Sequence, residues 1–82
     1  MRHRVIMVLP ALVAAPGEVR VEAQARFEQI ADALDGIRPD NAFWASVRVS
    51  RLCLVVRGWS FFYEVDDGTV RVTAVRRGPW PG

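Results

Sequence analysis

The sequence has very few of the side chains that build disulfide, metal or acid–base sites, because it contains one cysteine and one histidine. A single cysteine excludes an internal disulfide framework and a multi-cysteine metal site. Cys53 lies in the apolar run LCLVV and is expected to be a core thiol. His3 would have to act alone as an acid or base, so we expect it to be a surface residue at the start of a strand. No glycine-rich phosphate loop and no metal-ligand spacing occurs, and we expect no cofactor.

Long apolar runs are also absent, since no stretch approaches the roughly 20 residues that span a bilayer. We therefore expect a cytoplasmic protein. The start of the chain leaves one alternative open. Arg2 and Arg4 precede a mostly apolar run that ends in small residues, as in a secretory signal that would be cleaved near Ala15. Pro10 interrupts that run and RVIMV suits a first strand, which favours retention of the segment.

The composition is that of one small folded domain with a mild basic excess. Half of the 82 residues are hydrophobic, which argues against disorder. A core of this size buries only about 60% of the surface of the unfolded chain, so a partner that covers apolar surface is expected. The net charge of +2 permits nucleic-acid or acidic-protein partners and requires neither.

A helical period follows the first strand. We predict a strand over 3–8, a short helical turn over 10–15, a helix over 18–35 and a connecting loop over 37–45. The helix prediction rests on apolar residues at three- and four-residue steps: Val19, Ala23, Phe27, Ile30, Ala31 and Leu34. Gly36 is expected to end the helix as a left-handed cap. Phe43 and Trp44 are expected to anchor the loop to the core.

The second half of the chain alternates as strands do, and two tight turns set the predicted pairing. We predict strands over 46–57, 59–66 and 69–77 and a tail over 78–82. With Asp67 and Gly68 as a turn, the opposed pairs are Val65–Val70, Glu64–Arg71, Tyr63–Val72, Phe62–Thr73 and Phe61–Ala74. A turn at Arg57 and Gly58 adds the pairs Leu54–Phe61 and Leu52–Tyr63. A bulge is predicted near Ser50 and Arg51, where the alternation changes parity.

These elements predict an α+β fold. It has a three- to four-stranded antiparallel β-meander plus an N-terminal strand, with one sheet face covered by the amphipathic helix. The other face would carry Val55, Phe62 and Val75 among charged residues. Because such an apolar surface is unusual for a solitary monomer, we assign these three residues to partner binding.

The stretch VVRGWSFFYEVDDGTVRVTAVRRG resembles the terminal hairpin of the RelE/ParE toxin superfamily. In that family a Gly-rich turn leads to an aromatic residue, an arginine, two hydrophobics, Tyr-Glu-Val, an Asp-Gly turn and a last strand. MRHRVI and PGEVRVEAQARFEQIADAL are similar to the first strand and second helix of the family. The good similarity covers about residues 50–77, and the order of elements agrees.

The resemblance implies a toxin of a type II toxin–antitoxin system, neutralised by a cognate antitoxin protein. RelE-like members cut messenger RNA in the ribosome without a metal, and basic side chains hold the scissile phosphate. Carried over to this chain, the resemblance implies catalytic roles for Arg76 and Arg77 and phosphate contacts for Arg51 and Arg57.

The family pattern is broken at two places in this sequence. Ser60 stands where the family has an arginine, and Arg76, Arg77 and Gly78 stand where Gly-His-Arg is common. Whether the chain is a metal-independent endoribonuclease stays open for this reason. We expect an inhibitor of translation that acts on messenger RNA in the ribosome. The alternatives are a ParE-like inhibitor that binds DNA gyrase without catalysis, and a degenerate relative that only binds proteins.

Overall fold

The computed structural model describes residues 3–7, 10–48, 52–66 and 68–78, and it has helices on one face of a β-sheet. In chain order the elements are β1 (Arg4–Ile6), a 3-10 helix (Pro10–Ala14), α1 (Gly17–Asp35), α2 (Phe43–Arg48), β2 (Leu52–Val56), β3 (Trp59–Asp66) and β4 (Thr69–Arg77). The predicted α+β class is confirmed. Within the described residues no helix has the length and apolar character to cross a membrane.

The sheet has the strand order β1-β4-β3-β2 and is mixed rather than antiparallel throughout. Strands β2, β3 and β4 pair antiparallel as consecutive neighbours. The N-terminal strand lies beside β4 and runs parallel to it, with Val5 opposite Val70. The antiparallel part of the sheet therefore has three strands, the lower number of the predicted three to four, and the N-terminal strand adds the parallel pair. A parallel pair needs a long crossover, and the helices between β1 and β2 provide the chain for its return.

The pairing of β3 with β4 follows the prediction near the turn and departs from it further along. The pairs Val65–Val70, Glu64–Arg71 and Tyr63–Val72 are confirmed. Beyond Tyr63 the register shifts by one residue, so that Phe62 opposes Ala74 and Phe61 opposes Val75. Thr73 is the extra residue of this β-bulge, and its Oγ1 donates to the Phe62 carbonyl oxygen at 3.3 Å.

The bulge decides which face the end of β4 presents. A one-residue shift moves every later side chain to the other face of the sheet. Val75 therefore packs against the buried core beside Phe61, and its predicted place on the open face is wrong. Ala74 takes that place opposite Phe62. The bulge predicted near Ser50 and Arg51 lies outside the described residues.

The helix α1 covers one face of the sheet through the predicted apolar stripe. Its buried residues are Val19, Ala23, Phe27, Ala31 and Leu34. Phe27 makes edge-to-face contacts with Phe61 and Tyr63, with ring centroids 6.3 and 5.0 Å apart. The confirmed pairs Leu54–Phe61 and Leu52–Tyr63 place β2 on the same core. Gly36 ends the helix with φ −82°, so the predicted left-handed cap is wrong.

A second helix replaces the start of the predicted strand 46–57 and the end of the predicted loop. Trp44 and Val47, three residues apart, are both buried and give α2 one apolar side. Asn41 caps its start, because the Asn41 Oδ1 accepts the Phe43 backbone N–H at 2.9 Å. The alternation in SVRVS is too short to exclude a helical turn. Trp44 is anchored in the core as predicted, and Phe43 is exposed.

His3 joins the N-terminal strand to the helices, and its predicted surface position is wrong. Its side chain is 8% exposed, and its Nδ1 lies 2.6 Å from the Oδ1 of Asp35. The same carboxylate oxygen accepts the His3 backbone N–H at 2.7 Å. The imidazole stacks on the Trp44 indole with ring centroids 5.4 Å apart. Chiefly through the side-chain hydrogen bond from His3, the pKa of Asp35 is lowered.

Candidate functional site

Arginines from two separate segments lie at the end of the sheet that is away from Gly68. The turn between β2 and β3 consists of Arg57 and Gly58, with φ of 50° and 81°. The backbone N–H of Gly78, just after β4, donates to the Gly58 carbonyl oxygen at 2.6 Å. We call this region, formed by Arg57, Trp59, Ser60, Arg76 and Arg77, the arginine end. Three of the predicted site residues therefore lie at one end of the sheet.

Arg76 and Arg77 lie on opposite faces of the sheet. Arg76 pairs with Ser60, and Arg77 pairs with Trp59, which packs against the hydrophobic core. Because successive side chains of a strand alternate, Arg77 lies on the helix side and Arg76 on the open side. Both are exposed, and in the described part of the chain neither forms an ion pair. The two adjacent arginines therefore present their charges on different sides of the sheet.

Arg57 is held by a carboxylate of α1. Its Nε donates to the Glu22 Oε1 at 2.9 Å, and the Glu22 Oε2 lies 3.6 Å from the Arg26 Nε. The hydrogen bond from Arg57 lowers the pKa of Glu22, and the same bond raises the pKa of Arg57. The Arg57 side chain nevertheless remains 59% exposed. Arg57, predicted to contact phosphate, is thus an exposed arginine whose charge is partly balanced by Glu22.

Ser60 occupies the position where the resembling family has an arginine, and its hydroxyl has a structural role. The residue is 1% exposed, and its Oγ donates to the Gly78 carbonyl oxygen at 2.6 Å. Together with the bond from Gly78 to Gly58, this contact ties the end of β4 to the turn before β3. The Ser60 hydroxyl donates its proton to a carbonyl oxygen, whereas an activated nucleophile donates it to a general base.

The open face of the sheet, opposite the helices, carries the remaining predicted residues. Val55 is 48% exposed and Phe62 is half-buried there, opposite Cys53 on one side and Ala74 on the other. Cys53 is a half-buried free thiol on this face, so its predicted core position is wrong. We call the group of Cys53, Val55, Phe62 and Ala74 the open-face patch. The sequence did not predict Ala74 on this face, because no local sequence signal indicates the bulge.

The other predicted residues lie apart from the arginine end. Tyr63 packs against Phe27 in the core, and burial raises the pKa of its hydroxyl. Glu64 lies opposite Arg71 on the open face, as predicted. Arg51, predicted to bind phosphate, lies outside the described residues.

Glu22 is the site residue that the sequence did not predict. It lies on α1 four residues before Arg26, a spacing that favours an ion pair. Its stronger contact is with Arg57, 35 residues further along the chain. No local pattern predicts a pair so distant in sequence.

Comparisons of this chain with protein-family models, with curated proteins and with solved structures found no match.

Proposed function

We propose that this chain is the toxin component of a type II toxin–antitoxin system of the RelE/ParE type, and that it inhibits translation by binding messenger RNA in the ribosome. One observation carries the proposal. Arg57, Arg76 and Arg77 lie at one end of the sheet, and the last two have no carboxylate partner within the described residues. The order of strand, helices and three antiparallel strands supports the resemblance of the sequence to that family.

Phosphate recognition is the chemistry that suits this end of the molecule. All 11 basic residues of the chain are arginines. A guanidinium presents its donors as a fork that fits phosphate oxygens, and it stays charged at every physiological pH. Arg76 and Arg77 belong to a paired strand, which positions charges more rigidly than a loop does. The arginine end is therefore suited to a polyanion that lies along the edge of the sheet.

Binding is better supported than cleavage. General acid–base catalysis needs a group that moves a proton at the scissile bond. The imidazole of His3 pairs with Asp35, at the end of α1 remote from the arginine end. Arginines can stabilise the charge of a transition state, but they do not supply that proton transfer. The ribosome would have to contribute the missing step if the messenger RNA is cut.

The buried hydroxyl of Ser60 favours a second candidate, a ParE-like toxin that binds DNA gyrase without catalysis. The side chain at the position of the family arginine is committed to the Gly78 carbonyl. A protein that only binds its target does not require a catalytic group there. This candidate also requires the exposed arginines for binding, and they would then contact an acidic or phosphate-rich surface of the enzyme–DNA complex.

The open-face patch is the proposed surface for the antitoxin. Half-buried Phe62 and exposed Val55 form its apolar part. Because the domain is small, a protein partner that buries this patch would add to its stability. Val75, part of the predicted surface, does not belong to the patch because it packs against the core. A chain that binds a protein partner through this patch but has no toxic activity would be the third alternative, a degenerate relative that only binds proteins.

The proposal is tested by expressing the chain in a bacterial host, alone and together with the small open reading frame beside its gene. Growth arrest that the second protein relieves is the expected result, and harmless expression contradicts both toxin candidates. Mapping messenger RNA ends and ribosome stalling during arrest tests the action on translation. Gyrase-dependent DNA breaks with normal translation would instead support the second candidate.

Charge-matched variants test the role of the arginine end. Changing Arg76 and Arg77 together to Ala is expected to abolish growth arrest while the domain stays folded, because exposed strand-end substitutions usually cost within about 0.5 kcal/mol. The control changes Arg20 and Arg38 to Ala, which removes the same charge from exposed positions elsewhere. If both double variants lose toxicity equally, net charge and not the arginine end is responsible.

A further inference from the structure

Arg57 stands at a backbone position that arginine rarely adopts. Its φ of 50° is the one positive value among non-glycine residues in the described ranges. Both residues of a two-residue turn of this kind have positive φ, which favours Asn, Asp or Gly at the first place. A long, charged side chain at such a position raises the question of what it contributes.

The contact with Glu22 leaves the outer part of the Arg57 guanidinium available. The carboxylate accepts from Nε at 2.9 Å, and this hydrogen bond uses neither of the two terminal amino groups. In the described part of the chain no other group accepts from them. Glu22 is itself held by Arg26 on the next turn of α1, so the carboxylate is fixed from two sides. The hydrogen bond from Nε thus orients Arg57, and the two terminal amino groups stay available to a ligand.

Arg77 lies on the same side of the sheet as the contact between Arg57 and Glu22. It pairs with Trp59, and Trp59 pairs with Val56, the residue before Arg57. Trp59 and Val56 both pack toward the core under α1, which places Arg77 on the side where Arg57 meets Glu22. Arg76 lies on the opposite face because of strand alternation after the bulge.

We propose that Arg57 and Arg77 form one anion site that binds a backbone phosphate of single-stranded RNA, and that Glu22 is the positioning residue that orients Arg57. The inference deepens the proposed function and rests on it for the identity of the ligand. One guanidinium group from the β2–β3 turn and one from β4 bind the oxygens of one phosphate in a geometry that a single arginine cannot reach. Arg76 lies outside this site and contacts the chain of a bound RNA only from the other face.

Binding of a fluorescein-labelled RNA decamer without secondary structure tests the site, measured by anisotropy with the purified full chain at about 50 mM salt. Arg57→Ala and Arg77→Ala are each expected to weaken binding about tenfold, and each is expected to lower the dependence of log K on log salt by about one unit. Arg76→Ala is expected to weaken it about twofold. The control Arg38→Ala removes the same charge near the other end of α1 and is expected to leave affinity unchanged. Equal losses in all four variants would overturn the proposal.

A charge exchange separates phosphate binding from a purely structural ion pair. The double variant Glu22→Arg with Arg57→Glu keeps the net charge and an ion pair between α1 and the turn. A structural role alone predicts unchanged RNA affinity, and this result would overturn the proposal. We expect instead a loss of RNA affinity of about tenfold, because position 57 beside Arg77 no longer carries a cation. The urea midpoint should fall only slightly, since the cation at position 22 is then four residues from Arg26. The variant Glu22→Gln, which retains a hydrogen-bond acceptor, is expected to lose less than Glu22→Ala.

Failure of this site and failure of the proposed function have different signatures. Growth arrest without any RNA binding by the purified chain would overturn the anion site and leave the toxin proposal standing. RNA binding that depends on Arg57 and Arg77, together with harmless expression, would support the anion site and contradict the toxin proposal.

Discussion

Phe27 is the side chain on which the packing of α1 against the sheet depends most. It is 0% exposed, and its ring contacts Phe61 and Tyr63 edge to face. Replacing a buried phenylalanine by alanine costs about 3–5 kcal/mol, from lost burial and the cavity left behind. A chain of this length has a total stability of roughly 4–12 kcal/mol, at about 0.05–0.15 kcal/mol per residue. Phe27→Ala should therefore remove a large part of the free energy of unfolding.

Urea unfolding followed by far-ultraviolet circular dichroism measures this loss. For a small domain with a slope of about 1 kcal/mol per molar urea, the midpoint should fall by about 3 M or more, or the variant should be unfolded without urea. Val21→Ala is the matched control, because Val21 belongs to the same helix and is 71% exposed. Its expected change is within about 0.5 kcal/mol. Similar midpoints for the two variants would refute the packing of α1 on the sheet through this ring.

Three further predictions concern the bulge, the histidine contact and the chain end. Val75→Asp should lower stability by about 2 kcal/mol more than Ala74→Asp, because the bulge turns Val75 toward the core, and the reverse order in urea unfolding would contradict this register. Asp35→Asn should lower the thermal midpoint at neutral pH. Since the folded pKa of Asp35 lies below its ordinary value of 3.8, its contribution is complete above that value and is lost as the pH falls through the lowered pKa, so the two midpoints should converge in acid. A gap of unchanged size at about pH 2 would show that the contact with His3 does not depend on the carboxylate charge. Gly78→Ala should cost about 1 kcal/mol in the same assay, because its φ is 98° although a Cβ would meet no atom within 4 Å, and no loss would argue against the left-handed backbone there.

Local rules account for the features that the sequence predicted correctly. The spacing of apolar residues from Val19 to Leu34 determines a helix face, because neighbouring positions along a helix are three or four residues apart. Glycine in each two-residue turn permits positive φ, and this restricts the pairing of the residues next to the turn. The tip of the β3–β4 hairpin and the whole β2–β3 hairpin therefore follow the predicted register.

Tertiary structure decided the features in which distant segments compete for the same space. Ala74 and Val75 are both apolar, so the sequence alone permits either to face the core, and the fit of Val75 beside Phe61 selects the bulged register. The same holds for the arginine end. The sequence by itself places arginines near a turn and near the end of a strand. The contact of Arg57 with Glu22 forms only when α1 packs on the sheet. The bulge in β4 then determines which of Arg76 and Arg77 lies on the helix side. Charge and periodicity are properties of the chain, but the side on which a charge stands depends on long-range packing.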